Sequence, residues 1–436
     1  MSRTPLAHYV NWVRACSAMR WTGRVTQVVG NLVESAGPFC SVGETCEIVT
    51  SNGIHLQGEI VGFRDSTVLA MPLERPAGVR LGDRIVAWGA NPALRVGPEL
   101  LGRVIDATGN ALDSGGDYRA ATRLPLDGSA PLPLERTPIR EPLGCGIRSV
   151  DAFLTCGRGQ RIGIFGGSGV GKSTLLGMMA RGTAADMTVL ALVGERGREV
   201  QEFLEDALGE DGRRRSVVIV STSDQSPLLR VRAALAATTV AEYFCHKGKN
   251  VLLVVDSLTR FAMAQREIGL AAGEPPTTKG YTPSVLAMLS RLVERAGNFS
   301  NGSITAFYTT LMEGDDQQDP LVDTVRSLLD GHIVLDRNLS ARGHYPPVSV
   351  LDSLSRLMPN VCSAQHMEKM RALRTLLSAY VRSEDLIRIG AYSSGSDPVL
   401  DRAIAALPAI NTFLQQPKSD VSPFADTLTK FMALPS

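Results

Sequence analysis

No sign of charge dominates this chain: 45 lysines and arginines stand against 44 aspartates and glutamates, a formal net charge of +1 over 436 residues. A global field of the kind that draws a protein onto DNA, RNA or an acidic bilayer is excluded, so any such partner must use a local patch. The seven cysteines (Cys16, Cys40, Cys46, Cys145, Cys156, Cys245 and Cys362) are scattered and odd in number. They lack the CxxC or histidine-paired spacing of a metal site and read as reduced thiols of a cytoplasmic protein. The opening MSRTPLAHYVNWVRACSAMR has no continuous apolar run of a signal peptide. No later stretch reaches the ~18 apolar residues of a membrane span. A soluble protein is expected, one that reaches a membrane only through a partner.

What is present is length enough for about three domains at roughly 150 residues each. Residues 1–20 place Leu6, Tyr9, Val10 and Val13 at helical spacing with Trp12 beside them. This is either a partner-binding helix or one folded back on its own domain. Residues 21–92 carry short β-rich runs (RVTQVVG, TCEIVT, IHLQGEIVGF, TVLAMPL, DRIVAWG) with a hairpin signal at Ser51-Asn52-Gly53. Strands this short at this spacing predict a small barrel or sandwich. Over residues 93–361 continuous apolar strands alternate with helical patterns, which predicts a parallel sheet covered on both faces. Residues 362–436 read as a helical domain, with Met370, Leu373, Leu376, Leu377, Tyr380 and Val381 on one stripe.

The stretch GIFGGSGVGKST at 163–174 carries the chemistry. Gly166, Gly171, Lys172 and Ser173 fill the fixed positions of GxxxxGK[ST], between an apolar strand and a helical run as that motif requires. The loop Gly166, Gly167, Ser168, Gly169, Val170, Gly171 turns backbone N–H groups toward a nucleotide's phosphates, and the following helix, with Thr174 in its first turn, adds partial positive charge. Lys172 reaches the β- and γ-phosphates and the Ser173 hydroxyl ligates Mg²⁺. Hydrolysis also needs a carboxylate on the metal and a base for water, both at the carboxyl ends of strands where ligands collect. Asp256 ends VLLVVD and Glu195 ends TVLALVGE. An arginine brought to the γ-phosphoryl would complete the set, and spacing does not choose among Arg196, Arg260, Arg342 and Arg356.

These motifs, together with GERGREV at 194–200, DSLTRFAMAQREIGLAAGEPPTTKGYTPSV at 256–285 and HYPPVSVLDSLSR at 344–356, closely resemble the flagellar and type III secretion ATPases, relatives of the rotary ATP synthase catalytic subunit. LLGRVIDATGNALD at 100–113 and SSGSDPVLDRAIAALPAINTFLQQ at 393–416 extend the resemblance over nearly the whole chain. It implies an α/β, RecA-like P-loop ATPase domain with an N-terminal β-barrel and a C-terminal helical domain, assembled as a homohexamer that uses ATP and Mg²⁺. In that pattern Glu195 activates water, Asp256 serves the metal, Arg356 is supplied to the neighbouring subunit's site and Tyr345 packs on the adenine. GEPPTTKGYTP at 273–283 matches the loop facing the ring axis.

The implied partners are a regulator at the N-terminus, a central stalk protein, an export gate and chaperone–substrate complexes, with the ring peripheral to the inner membrane. The segment after RFA favours the flagellar branch over the virulence one. An ATP synthase catalytic subunit is disfavoured because SEDLIRIGAYSSGSD lacks an acidic DELSEED segment and because this chain carries both the glutamate and the arginine. An RNA translocase is disfavoured because residues 23–89 offer Phe39, Phe63 and Trp88 and no basic cluster. A non-hydrolysing switch is disfavoured by the full set of Lys172, Glu195 and Asp256.

Overall fold

The computed structural model describes residues 20–312 and 319–435. The helix expected over residues 1–20 therefore lies, but for Arg20, outside the described residues.

Six strands, Thr22–Val29, Leu32–Ala36, Thr45–Val49, His55–Arg64, Thr67–Pro72 and Arg84–Ala87, close into a barrel in the order first, second, fifth, fourth, third, sixth. Alternating burial along them fills the interior with Val25, Val33, Ile48, Ile60 and Ile85, each at most 1% exposed. This period of two is what a closed sheet with one wet face demands. The hairpin read at Ser51–Gly53 joins the third and fourth strands, with Gly53 at φ +79°, in the left-handed region that glycine enters without strain.

The central sheet runs Val348–Ser355, Gly331–Leu335, Arg161–Gly166, Gly302–Leu311, Asn250–Asp256, Met187–Glu195, Ser216–Thr222, Val104–Asp106. From Gly331–Leu335 through Val104–Asp106 neighbours are parallel, while Val348–Ser355 runs antiparallel at the edge. The strands are buried almost throughout, as expected of a sheet with helices on both faces. Because they are parallel, the residues that end Arg161–Gly166, Met187–Glu195 and Asn250–Asp256 meet at one edge. The helix Pro227–His246 shows how sharply the covering elements begin. Pro227 occupies its first turn, where a missing N–H costs nothing, and Ser226 Oγ accepts from Leu229 N.

Beyond the sheet the chain is helical, Ala364–Arg388, Pro398–Leu414 and Phe424–Met432. Phe431, fully buried, meets Phe153 of the nucleotide domain edge-on at 5.1 Å between ring centroids and His366 at 5.3 Å. The expected stripe holds for Met370, Leu373, Leu376 and Leu377, all buried, and for half-buried Tyr380. Val381 is a correction: it is 55% exposed, because it lies at the margin of the helical stripe, while Ile387 further along the same helix is still packed on the core.

Candidate active site

The buried strand Arg161–Gly166 delivers the chain to the loop 167–171, and the helix Lys172–Gly182 starts immediately after it. Gly171 stands at the helix N-cap with φ +105°, and Gly169 has φ +75°. A Cβ on Gly171 would meet nothing closer than 4.0 Å, so backbone conformation rather than space requires glycine there. Lys172 Nζ donates to the carbonyls of Gly166 and Gly167, at 3.1 Å each, and is thereby held at the mouth of the loop.

Glu195 and Asp256 end neighbouring strands and face the same cavity, of about 740 Å³, as Lys172, Ser173 and Arg260. Thr309, in the adjoining strand Gly302–Leu311, donates its hydroxyl to Asp256 Oδ1 at 2.6 Å. Arg260 enters from the first turn of the helix Leu258–Ala272, whose N-cap Ser257 accepts from Arg260 N, and its Nε lies 3.9 Å from Glu195 Oε1. Burial pushes the pKa of Glu195 up, and the charge of Asp256 and a hydrogen bond with Glu199 add to the rise. Burial also raises Asp256, against the Thr309 hydrogen bond and the charges of Lys172 and Arg260. Lys172 is lowered by burial, with Asp256 and Glu195 opposing. All three groups are thus displaced toward their neutral forms, the environment in which acid–base groups are tuned.

The oxygen donors fit a hard divalent cation: Thr309 takes one carboxylate oxygen of Asp256 and leaves the other, and the exposed Ser173 hydroxyl stands in the same cavity. Tyr345 lies a few ångströms from Gly171, on the other side of the loop, in a slot of about 290 Å³.

Of the four arginines left open by the sequence, the structure brings Arg260 and Arg196 to the cavity. Arg196 is largely exposed and lies 3.5 Å from Glu199. Arg342 is engaged elsewhere, donating to Glu384 at 2.9 Å. Arg356 is not in its own chain's site. Its backbone N donates to Asp330 O, and Asp330 N donates to the carbonyl of Arg161, the first residue of the strand that ends at Gly166. Five residues of strand, about 17 Å, therefore separate exposed Arg356 from the phosphate loop.

Sequence reasoning did not find Thr309, Glu199 or the segment Gln416–Lys418 that faces Tyr345 across the slot. The threonine pair closing the apolar run TAFYTTL was the available signal for Thr309. Nothing in a linear pattern joins Gln416 to residues 70 and more positions away.

Three family models match in chain order: the ATP synthase alpha/beta family beta-barrel domain over residues 25–89, the nucleotide-binding domain of that family over 146–355, and the T3SS EscN ATPase C-terminal domain over 362–433. The flagellum-specific ATP synthase of Bacillus subtilis is 52% identical over 90% of this chain and 90% of its own length. The type 3 secretion system ATPase of Xanthomonas euvesicatoria is 48% identical over 93% of this chain and 92% of its own. Among solved structures, the assembled ATPase EscN from the enteropathogenic E. coli type III secretion system superposes with a TM-score of 0.89 at 42% identity, over 95% of this chain and all of that one. Its complex with the central stalk EscO gives 0.87 at 41%, with the same coverage.

Proposed function

The chain belongs to the ATP synthase alpha/beta family, in the group of flagellum-specific ATP synthases and type III secretion ATPases, and from that premise we propose that it hydrolyses ATP in a homohexameric ring that energises protein export. Relatives of both names lie within a few per cent of one another in identity, so identity does not separate the flagellar from the virulence branch.

The convergence of Lys172, Glu195 and Asp256 on one cavity at the carboxyl edge of the sheet carries this reading. The triphosphate lies along the loop 167–171, met by backbone N–H groups and the helix N-terminus. Lys172 turns from the loop carbonyls to the β- and γ-phosphates. Glu195 holds a water and takes its proton as the water oxygen bonds to the γ-phosphorus. The bond from that phosphorus to the β–γ bridging oxygen breaks, and ADP and phosphate leave. A Mg²⁺ held by Ser173 and Asp256 would neutralise charge on the phosphate oxygens. Arg260, beside Glu195, keeps the base oriented and adds positive charge at the γ position.

Arg356 acts on the neighbouring subunit's site, which accounts for its exposed position at the opposite edge of its own sheet. Tyr345 packs on the adenine. The loop 273–283 faces the ring axis and a central stalk, the kind of partner seen with EscN. Residues 1–20 take the export regulator, and cargo arrives with its chaperones at an export gate in the inner membrane, where the ring is held through partners. Among the described residues no helix is long and apolar enough to cross a membrane.

The test is ATPase activity per molecule against protein concentration. It should climb as rings form, and Arg356→Ala should stay flat and about 10³-fold lower while still binding ATP. Constant activity from a monomer would place a complete site in one chain and remove the ring from the mechanism.

A further inference from the structure

We propose that Gly194 is the positioning residue of the catalytic base. It adds one residue to the strand Met187–Glu195, which turns Glu195 onto the nucleotide face of the sheet, and it leaves the room in which Arg260 lies beside that base. The inference rests on the ATPase reading above and deepens it.

Side chains alternate along a strand, so the face a carboxylate reaches follows from its place in the count. In Met187–Glu195, Leu190 and Leu192 belong to the core formed with Leu175 and Leu176 of the helix Lys172–Gly182, the helix that follows the phosphate loop. Val189, Ala191 and Val193 belong to the core on the other face, with Val231 of Pro227–His246 and Phe261 of Leu258–Ala272. Strict alternation would put Glu195 in this second row, away from the phosphate loop. Asp256 needs no departure from the count: Leu252 and Val254 lie on the phosphate-loop face, and Asp256 is the next residue of their row.

The strand leaves the count at Gly194. Val193 pairs with Ser221 and Glu195 with Thr222, so Gly194 is an extra residue with no partner on Ser216–Thr222. Bulges are rare between parallel strands, and beside active sites they re-aim a side chain. One inserted residue reverses the alternation, and Glu195 takes the face of Leu192, which stands in register with Asp256. Two features require glycine at the bulge. Its φ is +69°, in the left-handed region. A Cβ there would stand 2.8 Å from Arg260 Cδ and 3.2 Å from Arg260 Cβ, closer than packed carbons approach, and the second contact lies too near the backbone to swing aside. Arg260 Nε is buried without a hydrogen-bond partner, 3.9 Å from Glu195 Oε1, so packing over Gly194 sets its place rather than bonding.

The experiment measures phosphate release by the full chain over a range of ATP concentrations, with displacement of a ribose-labelled fluorescent ATP analogue by ATP as the readout of binding. Gly194→Ala should lower kcat by about 10²-fold, the effect of misplacing a catalytic group by about 1 Å, while KM and ATP displacement change less than about threefold. Gly194→Asn enters positive φ more readily and brings the same Cβ to Arg260, so it should lose kcat likewise, and it carries the test if the alanine variant does not fold. Because Gly194 acts through Glu195, adding Gly194→Ala to Glu195→Gln should slow release by less than about threefold more. A parental kcat in either Gly194 variant overturns the proposal, as does a raised KM with kcat unchanged. A further loss of about 10²-fold in the Glu195→Gln background also overturns it, since the effect would then pass through something other than the base. Absence of phosphate release from the unaltered protein counts against the ATPase reading, whereas release that survives Gly194→Ala at full rate removes this inference alone.

Discussion

The two edges of the central sheet are made by the same strands and treat their charges in opposite ways. At the amino edge ionic groups are matched. Arg161 meets Asp330 at 3.0 Å and Glu294 at 2.5 Å, and Arg103 Nε reaches both oxygens of Asp113 at 3.0 Å. Burial pushes Asp113 up, but the Arg103 hydrogen bond and the backbone N–H groups of Val104 and Gly115 outweigh it and hold the carboxyl at about 2. At the carboxyl edge Glu195 and Asp256 are both raised, and the nearest cation to Glu195, Arg260, stands off at 3.9 Å. Matched charge stabilises a fold; the carboxyl edge instead keeps groups ready to change protonation or partner. Function is legible from where the pairing is left incomplete.

Breaking the carboxyl edge should abolish turnover and leave the fold standing. Lys172→Ala is expected to reduce phosphate release below detection and to weaken equilibrium ATP binding, with an unchanged urea unfolding midpoint; near-normal turnover would remove the phosphate loop from the mechanism. Glu195→Gln sharpens the contrast. ATP binding should persist while kcat falls by about 10²–10⁴. In the parent enzyme the acid limb of kcat/KM should lie above the ordinary carboxylate range, because a raised base loses its proton only at higher pH. If the variant keeps that limb and its rate, the base is another group.

Breaking the amino edge should do the reverse. Asp330→Asn strips Arg161 of its bidentate partner and is expected to cost about 2 kcal/mol of stability, read as a lower urea midpoint, with KM for ATP unmoved. A shift in KM instead would mean that the two edges communicate. The last effect is conditional on pH. A carboxyl held at about 2 in the fold and near 3.8 in the unfolded chain favours the fold above pH 4, and that contribution disappears as pH falls toward 2. The shift is worth about 2 kcal/mol at neutral pH. Asp113→Asn should therefore lower the unfolding midpoint at pH 7 and converge with the parent near pH 2, and parallel curves at all pH values would assign the cost to lost packing.

The phosphate loop, Glu195 and Asp256 were legible because each lies at a switch from a continuous apolar strand to a helix, a signal carried by ten adjacent residues. Tyr345 and Arg356 entered through the family resemblance, since a tyrosine in a proline-rich turn and an arginine after a strand have no local mark. Thr309 was marked only by the threonine pair that closes its strand: a buried threonine in a strand is ordinary, and the register against Asn250–Asp256 is what sets its hydroxyl beside Asp256. Gln416 lies at the limit, its three side-chain bonds reaching Gly146 and Arg148 across some 270 positions of chain as well as Asp420 nearby. Periodicity predicted the C-terminal stripe and overran it at Val381, because it does not register how wide a face the packing partners cover.

The closed barrel of residues 22–87 has a further meaning for the proposed ring. An open sheet displays unpaired N–H and C=O groups along its rim, and at high local concentration such rims zip into one another without limit. Joining the first strand to the sixth leaves no rim to extend. Barrels set side by side in such a ring therefore cannot continue one sheet from subunit to subunit.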